Sequence, residues 1–258
     1  MREAVSRSHQ GRRSANEDAV VVSAEVGLCL VADGMGGHRG GGVASRIVAD
    51  TVSDFVQTSL MDAQITWPFG LEVGLSLEAN SLKNAVRLAN QRVQAEGRRQ
   101  PECEGMGSTV VAGLFSDTSL VHTNVGDSRL YLIRSGELKQ LTTDDSWAAS
   151  MLRAGADEGT VKQHPMRHVL TRVVGMDDSL DVEVSKLALE PGDLLVFSSD
   201  GLHGPLSDPE ILVIASDQSR ELEARADALV ESALGAGGTD NVSVVLVRLD
   251  GSSGKAQS

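Results

Sequence analysis

Four aspartates stand where apolar runs end or begin, and glycine lies beside three of them. Asp33 closes LCLVA and Asp200 closes LLVFSS, each followed by glycine. Asp240 precedes the run NVSVVLV after the pair Gly237-Gly238, and Asp127 sits in Val125-Gly126-Asp127-Ser128 between two further runs. Taken singly, an Asp-Gly step is ordinary turn chemistry. Antiparallel neighbours, however, set the end of one strand beside the start of the next, so two exits and an entrance place three carboxylates at one edge of a sandwich. Crowded carboxylates repel, and burying them unpaired is costly. A divalent cation resolves that conflict. Oxygen ligands without a Cys or His cluster favour Mg²⁺ or Mn²⁺ over zinc, and glycine beside an aspartate lets backbone carbonyls approach such an ion.

The stretch GLCLVADGMGGHRGGG at 27–42 also invites a phosphate-loop reading. A P-loop needs lysine at its end, and none occurs there. A dinucleotide fingerprint begun at Gly34 and Gly36 meets Arg39 where its last glycine belongs. Other chemistries fail sooner. Six residues after Cys29 and Cys103 stand Met35 and Thr109, not the arginine of a cysteine phosphatase, and no Gly-x-Ser-x-Gly elbow occurs. The six histidines show no zinc spacing and are expected mostly at the surface or in loops.

The elements that must position these acids are legible as Val- and Leu-rich runs: AVVVS, GLCLVADG, STVVAGLFSD, SLVHTNVGD, RLYLIRSG, DLLVFSSDG and NVSVVLVRL. Tight links at Ser116–Ser119 and Arg134–Glu137 predict antiparallel hairpins. Helical periodicity covers 41–59 and 78–96, with Leu82, Val86, Ala89 and Val93 on one face of the second. Ser207-Asp208-Pro209-Glu210 carries a helix start, and the helical pattern continues over 219–234 until Gly235. The fold class expected is α+β, two packed antiparallel sheets with helices outside. Residues 1–250 read as one domain, with a flap inserted at about 143–181, a variable loop at 61–77 and a disordered tail at 251–258.

Bulk properties narrow the partners. The 258 residues carry a formal net charge of −13, which disfavours nucleic acid and anionic membranes. Two cysteines suggest no disulfide framework, and neither a signal peptide nor a membrane-length apolar run is present, so the cytoplasm is the expected location.

In order along nearly the whole chain come GRRSANEDA (11–19), VADGMGGH (31–38), GSTVVAGL (107–114), NVGDSRLYLIRSGELKQLTTD (124–144), HPMRHVLTRVVG (164–175), SSDGLHGPLSD (198–208) and GGTDNVSVVLV (237–247). With these the chain resembles the metal-dependent protein serine/threonine phosphatases of the PP2C (PPM) type, and their bacterial branch in particular. The resemblance implies a β-sandwich flanked by helix pairs, with two metals, Mn²⁺ or Mg²⁺, at one end. It implies that metal-activated water hydrolyses phosphoserine and phosphothreonine in proteins by direct in-line attack.

Carried over by position, Asp33 matches the carboxylate bridging both metals, and Gly34 a backbone-carbonyl ligand. Asp200 and Asp240 match ligands of the second ion. Glu17 and Asp18 match an acidic pair that binds directly or through water. Asp127, with Asp200, matches the holder of a third, weaker metal, and Arg13 the clamp on the substrate phosphate. Animal members carry a histidine general acid directly after the metal-binding Asp-Gly; Met35 stands there, and His38 is the nearby candidate for that role. Bacterial members usually read Thr-x-Asp-His-Ser before the flap, whereas Asp145 takes the histidine place here. The partners implied are phosphoproteins, the targets of a serine/threonine kinase, approached by a monomer. The alternative, a pseudophosphatase or phosphoprotein-binding domain on the same fold, would show loss of the metal aspartates or of the arginine; Arg13, Asp33, Asp127, Asp200 and Asp240 are all present.

Overall fold

A computed structural model describes residues 2–36, 40–62 and 64–250. One sheet runs β1 (Arg2–His9), β11 (Val242–Leu249), β10 (Leu194–Ser198), β7 (Arg129–Arg134), β8 (Glu137–Gln140). The other runs β2 (Asp18–Ser23), β3 (Leu28–Met35), β5 (Val110–Phe115), β6 (Ser119–Val125), β9 (Ser185–Ala188), with the short β4 (Gly107–Ser108) pairing the end of β3. All these pairings are antiparallel. The expected hairpins are present. At Ser135 and Gly136 both φ angles are positive, the backbone of a tight two-residue turn.

Strand alternation divides the core into three layers. Cys29, Val31, Val111, Phe115, Leu130, Leu195, Phe197 and Val245 lie between the sheets. Leu28, Leu30, Ala112 and Leu114 face the helix pair α1 (Gly40–Met61) and α2 (Leu77–Arg99). Tyr131, Val196, Val244 and Leu246 face α5 (Asp200–His203), α6 (Asp208–Ala215) and α7 (Leu222–Gly235). Strands buried on both faces read as unbroken apolar runs, which is why the central ones are plain in the sequence. With so few aromatics, the middle layer uses one as a wedge. Phe197 enters the space left by Gly113, where a Cβ would come within 2.7 Å of its ring, and it meets Phe115 edge-on at 6.4 Å.

The predicted capping box at Ser207 and Glu210 starts α6. The helical pattern expected over 219–234 begins later, at Leu222. Asp217 accepts from the Ser219 N–H (3.1 Å) and turns the chain. The buried Arg225 then ties the link down through the carbonyls of Arg220 (2.9 Å) and Ala215 (3.3 Å). Within 143–181, α3 (Trp147–Arg153) and α4 (Glu158–Gln163) stand out from the sandwich, while Val173, Val174 and Leu180 return to the core. Ser108 and Val174 form a β-bridge there. Two histidines depart from the surface expectation, since His122 is 7% exposed and His203 is half-buried at the end of α5. The segment 251–258, expected to be a disordered tail, lies outside the described residues.

Removing the Phe197 wedge leaves a cavity between two sheets that cannot collapse onto a glycine. Phe197→Ala is expected to lose about 3–5 kcal/mol of unfolding free energy in a urea titration. A loss below about 1 kcal/mol would show that the inter-sheet layer is not packed around it.

Candidate active site

The end of the sandwich that receives the β3 exit, the β10 exit and the β11 entrance collects the acids. Asp18 opens β2 directly opposite Asp33 near the end of β3, a like-charge cross-strand pair that is unfavourable by itself. Asp33 is fixed through its backbone. Its N–H donates to Thr109 Oγ1 (3.0 Å), and its carbonyl accepts from the Thr109 N–H (2.8 Å) and from Ser108 Oγ (3.0 Å). Its carboxyl lies within electrostatic reach of that of Asp200. Ser199 Oγ donates to Asp18 Oδ2 (2.9 Å), whereas Asp18 Oδ1 and Asp200 Oδ1 are buried with no hydrogen-bond partner.

The electrostatics follow from this crowding. Burial pushes the Asp33 carboxyl well above the usual carboxylate range, and Asp18, Asp200, Asp127 and Asp240 push it further. Burial likewise raises Asp18 to about 6, offset in part by the hydroxyls of Ser243 and Ser199. Asp127, between β6 and β7, rises to about 7 through burial and the Asp200 and Asp144 charges. Asp200 is raised by burial and Asp240, while His168 and Arg13 pull the other way. Asp240 accepts from Arg13 Nη2 at 2.6 Å. Arg13 remains 57% exposed at the rim, so it is the cation a ligand entering from solvent meets.

Glycine permits the backbones here to touch. A Cβ on Gly34 would lie 2.0 Å from the Gly41 carbonyl oxygen, and one on Gly41 would lie 2.7 Å from the Gly34 oxygen. The first turn of α1 therefore rests directly on the end of β3. Glu17 spends Oε1 on that turn, accepting from the Gly42 N–H at 3.3 Å. On the other sheet, a Cβ on Gly201 would lie 1.9 Å from the Asn241 oxygen. Gly11, at φ +62°, makes the same approach to the Asp240 oxygen.

The structure thus brings Asp18, Asp33, Asp127, Asp200, Asp240 and Arg13 into mutual electrostatic reach. It directs the described oxygen of Glu17 to α1, and His38 lies outside the described residues. Met35, in the place of the animal histidine, is 36% exposed and carries no transferable proton. Among the described residues, no three His, Cys, Asp or Glu side chains already form a closed metal cage. Like charges splay apart unless a cation gathers them, and Asp240 is turned to Arg13. An all-oxygen donor set with two buried, unpartnered carboxylate oxygens suits a hard divalent ion.

Sequence reasoning missed Asn241. Its side chain donates to the carbonyls of Gln10 (2.7 Å) and Ala15 (2.9 Å) and accepts from the Glu17 N–H (2.8 Å). It therefore organises the loop that presents Arg13. The one available signal was a polar residue at the head of a fully buried strand. Thr109 and Ser199 were missed for the same reason, since small hydroxyls inside apolar runs look like ordinary strand residues.

The protein phosphatase 2C family model matches residues 5–234. The serine/threonine phosphatase stp of Listeria monocytogenes is 32% identical over 228 residues, 86% of this chain and 84% of that protein. The serine/threonine protein phosphatase PstP of Mycobacterium tuberculosis is 36% identical over 247 residues, 93% of this chain and 44% of that longer protein. A solved catalytic domain of PstP in complex with two manganese ions superposes with a TM-score of 0.78 at 33% identity, covering 96% of this chain and 99% of that one.

The raised carboxyls carry a pH signature. Asp127 holds its proton in the fold up to about pH 7 but releases it near 4 when unfolded, so its contribution to stability falls as pH rises through that window. In chelator, Asp127→Asn is expected to raise the melting temperature by about 3 °C or more at pH 8, and by much less at pH 4.5. Equal shifts at both pH values would contradict the raised carboxyl.

Proposed function

The chain belongs to the protein phosphatase 2C family and is a protein serine/threonine phosphatase, and from that premise we propose that the acids at the end of the sandwich hold its divalent cations. Asp33 and the Gly34 carbonyl, with Asp200, Asp240 and Asp18, would hold two ions, Mn²⁺ or Mg²⁺; Glu17 would join them directly or through water. Asp127 with Asp200 would hold a third. The observation that carries this reading is the convergence of aspartates from both sheets with two buried oxygens left unpartnered. When bound, the ions supply an activated water and Lewis-acid stabilisation of phosphoryl oxygens.

The chain's own groups do the rest. Asp33, gripped through its backbone by Thr109 and Ser108, keeps its carboxyl fixed in the crowd. Arg13, exposed and already bonded to a carboxylate, presents a fork that suits a phosphate monoester, so it exchanges Asp240 for the substrate phosphate. Asn241 sets the loop that aims it. Nothing in the described site depends on a covalent phosphoenzyme, and Cys29 and Cys103 are both buried. Residues 1–250 are taken as one phosphatase domain bearing the flap.

Its substrates are phosphoproteins, which we take to be targets of a serine/threonine kinase met by a monomer. Two cysteines in 258 residues make no disulfide framework, and the compartment proposed is a reducing one such as the cytoplasm. No helix of the described residues is long and apolar enough to cross a membrane.

With Mn²⁺ the purified protein is expected to hydrolyse a phosphothreonine peptide and to lose that activity in EDTA. Asp33→Asn should lower turnover by at least about 100-fold, and Arg13→Ala should lower kcat/KM by about 100- to 1,000-fold. Full activity in Asp33→Asn with native circular dichroism would sink its assignment.

A further inference from the structure

The flap leaves the sandwich at Asp145 and returns at Thr171, and its two roots are joined. The Thr171 N–H donates to the Asp145 carbonyl (2.8 Å), and Ser146 bridges Leu170. Asp145 also grips the loop that carries Asp127. Its N–H donates to the Gly126 carbonyl (2.9 Å), and its Oδ2 accepts from the Gly126 N–H (3.1 Å). That loop has no slack on its other side, because a Cβ on Gly126 would lie 2.7 Å from the Thr109 side chain, the group that also holds Asp33.

Arg172, one residue past the returning root, completes the arrangement. Its Nε lies 3.4 Å from the same Asp145 Oδ2. Nε is buried with no hydrogen-bond partner, while Nη2 donates to the Asp181 carbonyl at 3.0 Å. A charge-assisted bond closes at about 2.8 Å, so a movement of about 0.6 Å would satisfy the orphan donor. An adjoining cavity of about 170 Å³, lined by Arg172, Asp145, Arg153, Glu183 and His122, leaves room for it. Asp145 itself is only 8% exposed, so water does not compete well for its carboxylate.

We propose that Asp145 and Arg172 form a positioning clasp that ties both roots of the flap to Gly126, so that flap placement and the aim of the Asp127 carboxylate change together. The metal-binding part of this rests on the reading of Asp127 as a cation ligand. Neither member touches the reacting phosphate; they act through Gly126. A histidine in place of Asp145 would accept the Gly126 N–H but would not attract the arginine, so the clasp needs an acid at this position.

The test uses the full chain carrying Asp145→Asn, Arg172→Met or both. Amide hydrogen exchange is followed in peptides covering 124–128 and 165–172, and Mn²⁺ binding is followed by the electron paramagnetic resonance of the free ion. Each single variant is expected to speed exchange in both segments and to weaken the weakest Mn²⁺ step about three- to tenfold, with the tighter steps unmoved. The double variant should be no worse than either single, and Arg172→Lys should recover part of the loss. Unchanged exchange in either segment, or additive effects in the double variant, would overturn the clasp. Asp127→Asn is the control. If it leaves the weakest Mn²⁺ step intact, the ligand role of Asp127 fails, and the exchange data alone then decide the clasp.

Discussion

The arrangement depends on one electrostatic conflict, in which carboxylates from both sheets are forced together at the end of the sandwich where water is scarce. Burial is the first cause of the raised pKa at Asp18, Asp33, Asp127 and Asp200, and their mutual repulsion adds to it. A fold that only needed to be stable would place such residues in solvent. Here the three-layer core fixes the strand ends, and the strand ends fix the acids. The apolar layers thus offset the electrostatic cost of the site, a cost that the proposed cations would remove.

The conflict also explains the polar scaffolding around the site. Thr109, Ser108, Ser199 and Asn241 are almost fully buried, and each spends its side chain on a backbone or carboxyl group of the site. Repelling groups can be held in place only by neighbours that are themselves satisfied. Asp127 is served from two directions, with its backbone engaged by the half-buried His203 and the preceding Gly126 pinned between Thr109 and Asp145. His203 in turn meets Ser198 at 3.1 Å, within the strand that leads to Asp200.

Much of this was legible because the strands carrying the acids are buried on both faces. LCLVA and LLVFS are unbroken apolar runs, so an aspartate at their ends marks itself. Of the four edge strands, only β2 (AVVVS) gave such a run. β1 reads REAVSRSH, β8 reads ELKQ and β9 reads SKLA, since an edge strand mixes polar residues into its pattern and resists further pairing by doing so. Asn241 escaped for a different reason. Its function lies in bonds to Gln10 and Ala15, far away along the chain, and no local pattern encodes a partner at that separation. The break between α6 and α7 was hidden because Arg225, which reads as an exposed helix residue, is 4% exposed and caps the turn instead.

The glycines of 34–42 show how far composition alone can mislead. A glycine-rich turn entering a helix suggests a nest of amides around phosphate. Here two of those amides are already engaged: the Gly42 N–H meets Glu17, and the Gly34 N–H meets the Glu17 carbonyl. What glycine supplies is contact between two backbones, Gly34 against Gly41, at a distance no side chain allows. That contact places the positive end of α1 against the end of β3, where its field favours the negative charge that burial opposes. The helix and the proposed cations therefore act on the carboxylates in the same direction, and the glycines matter because they bring the helix within range.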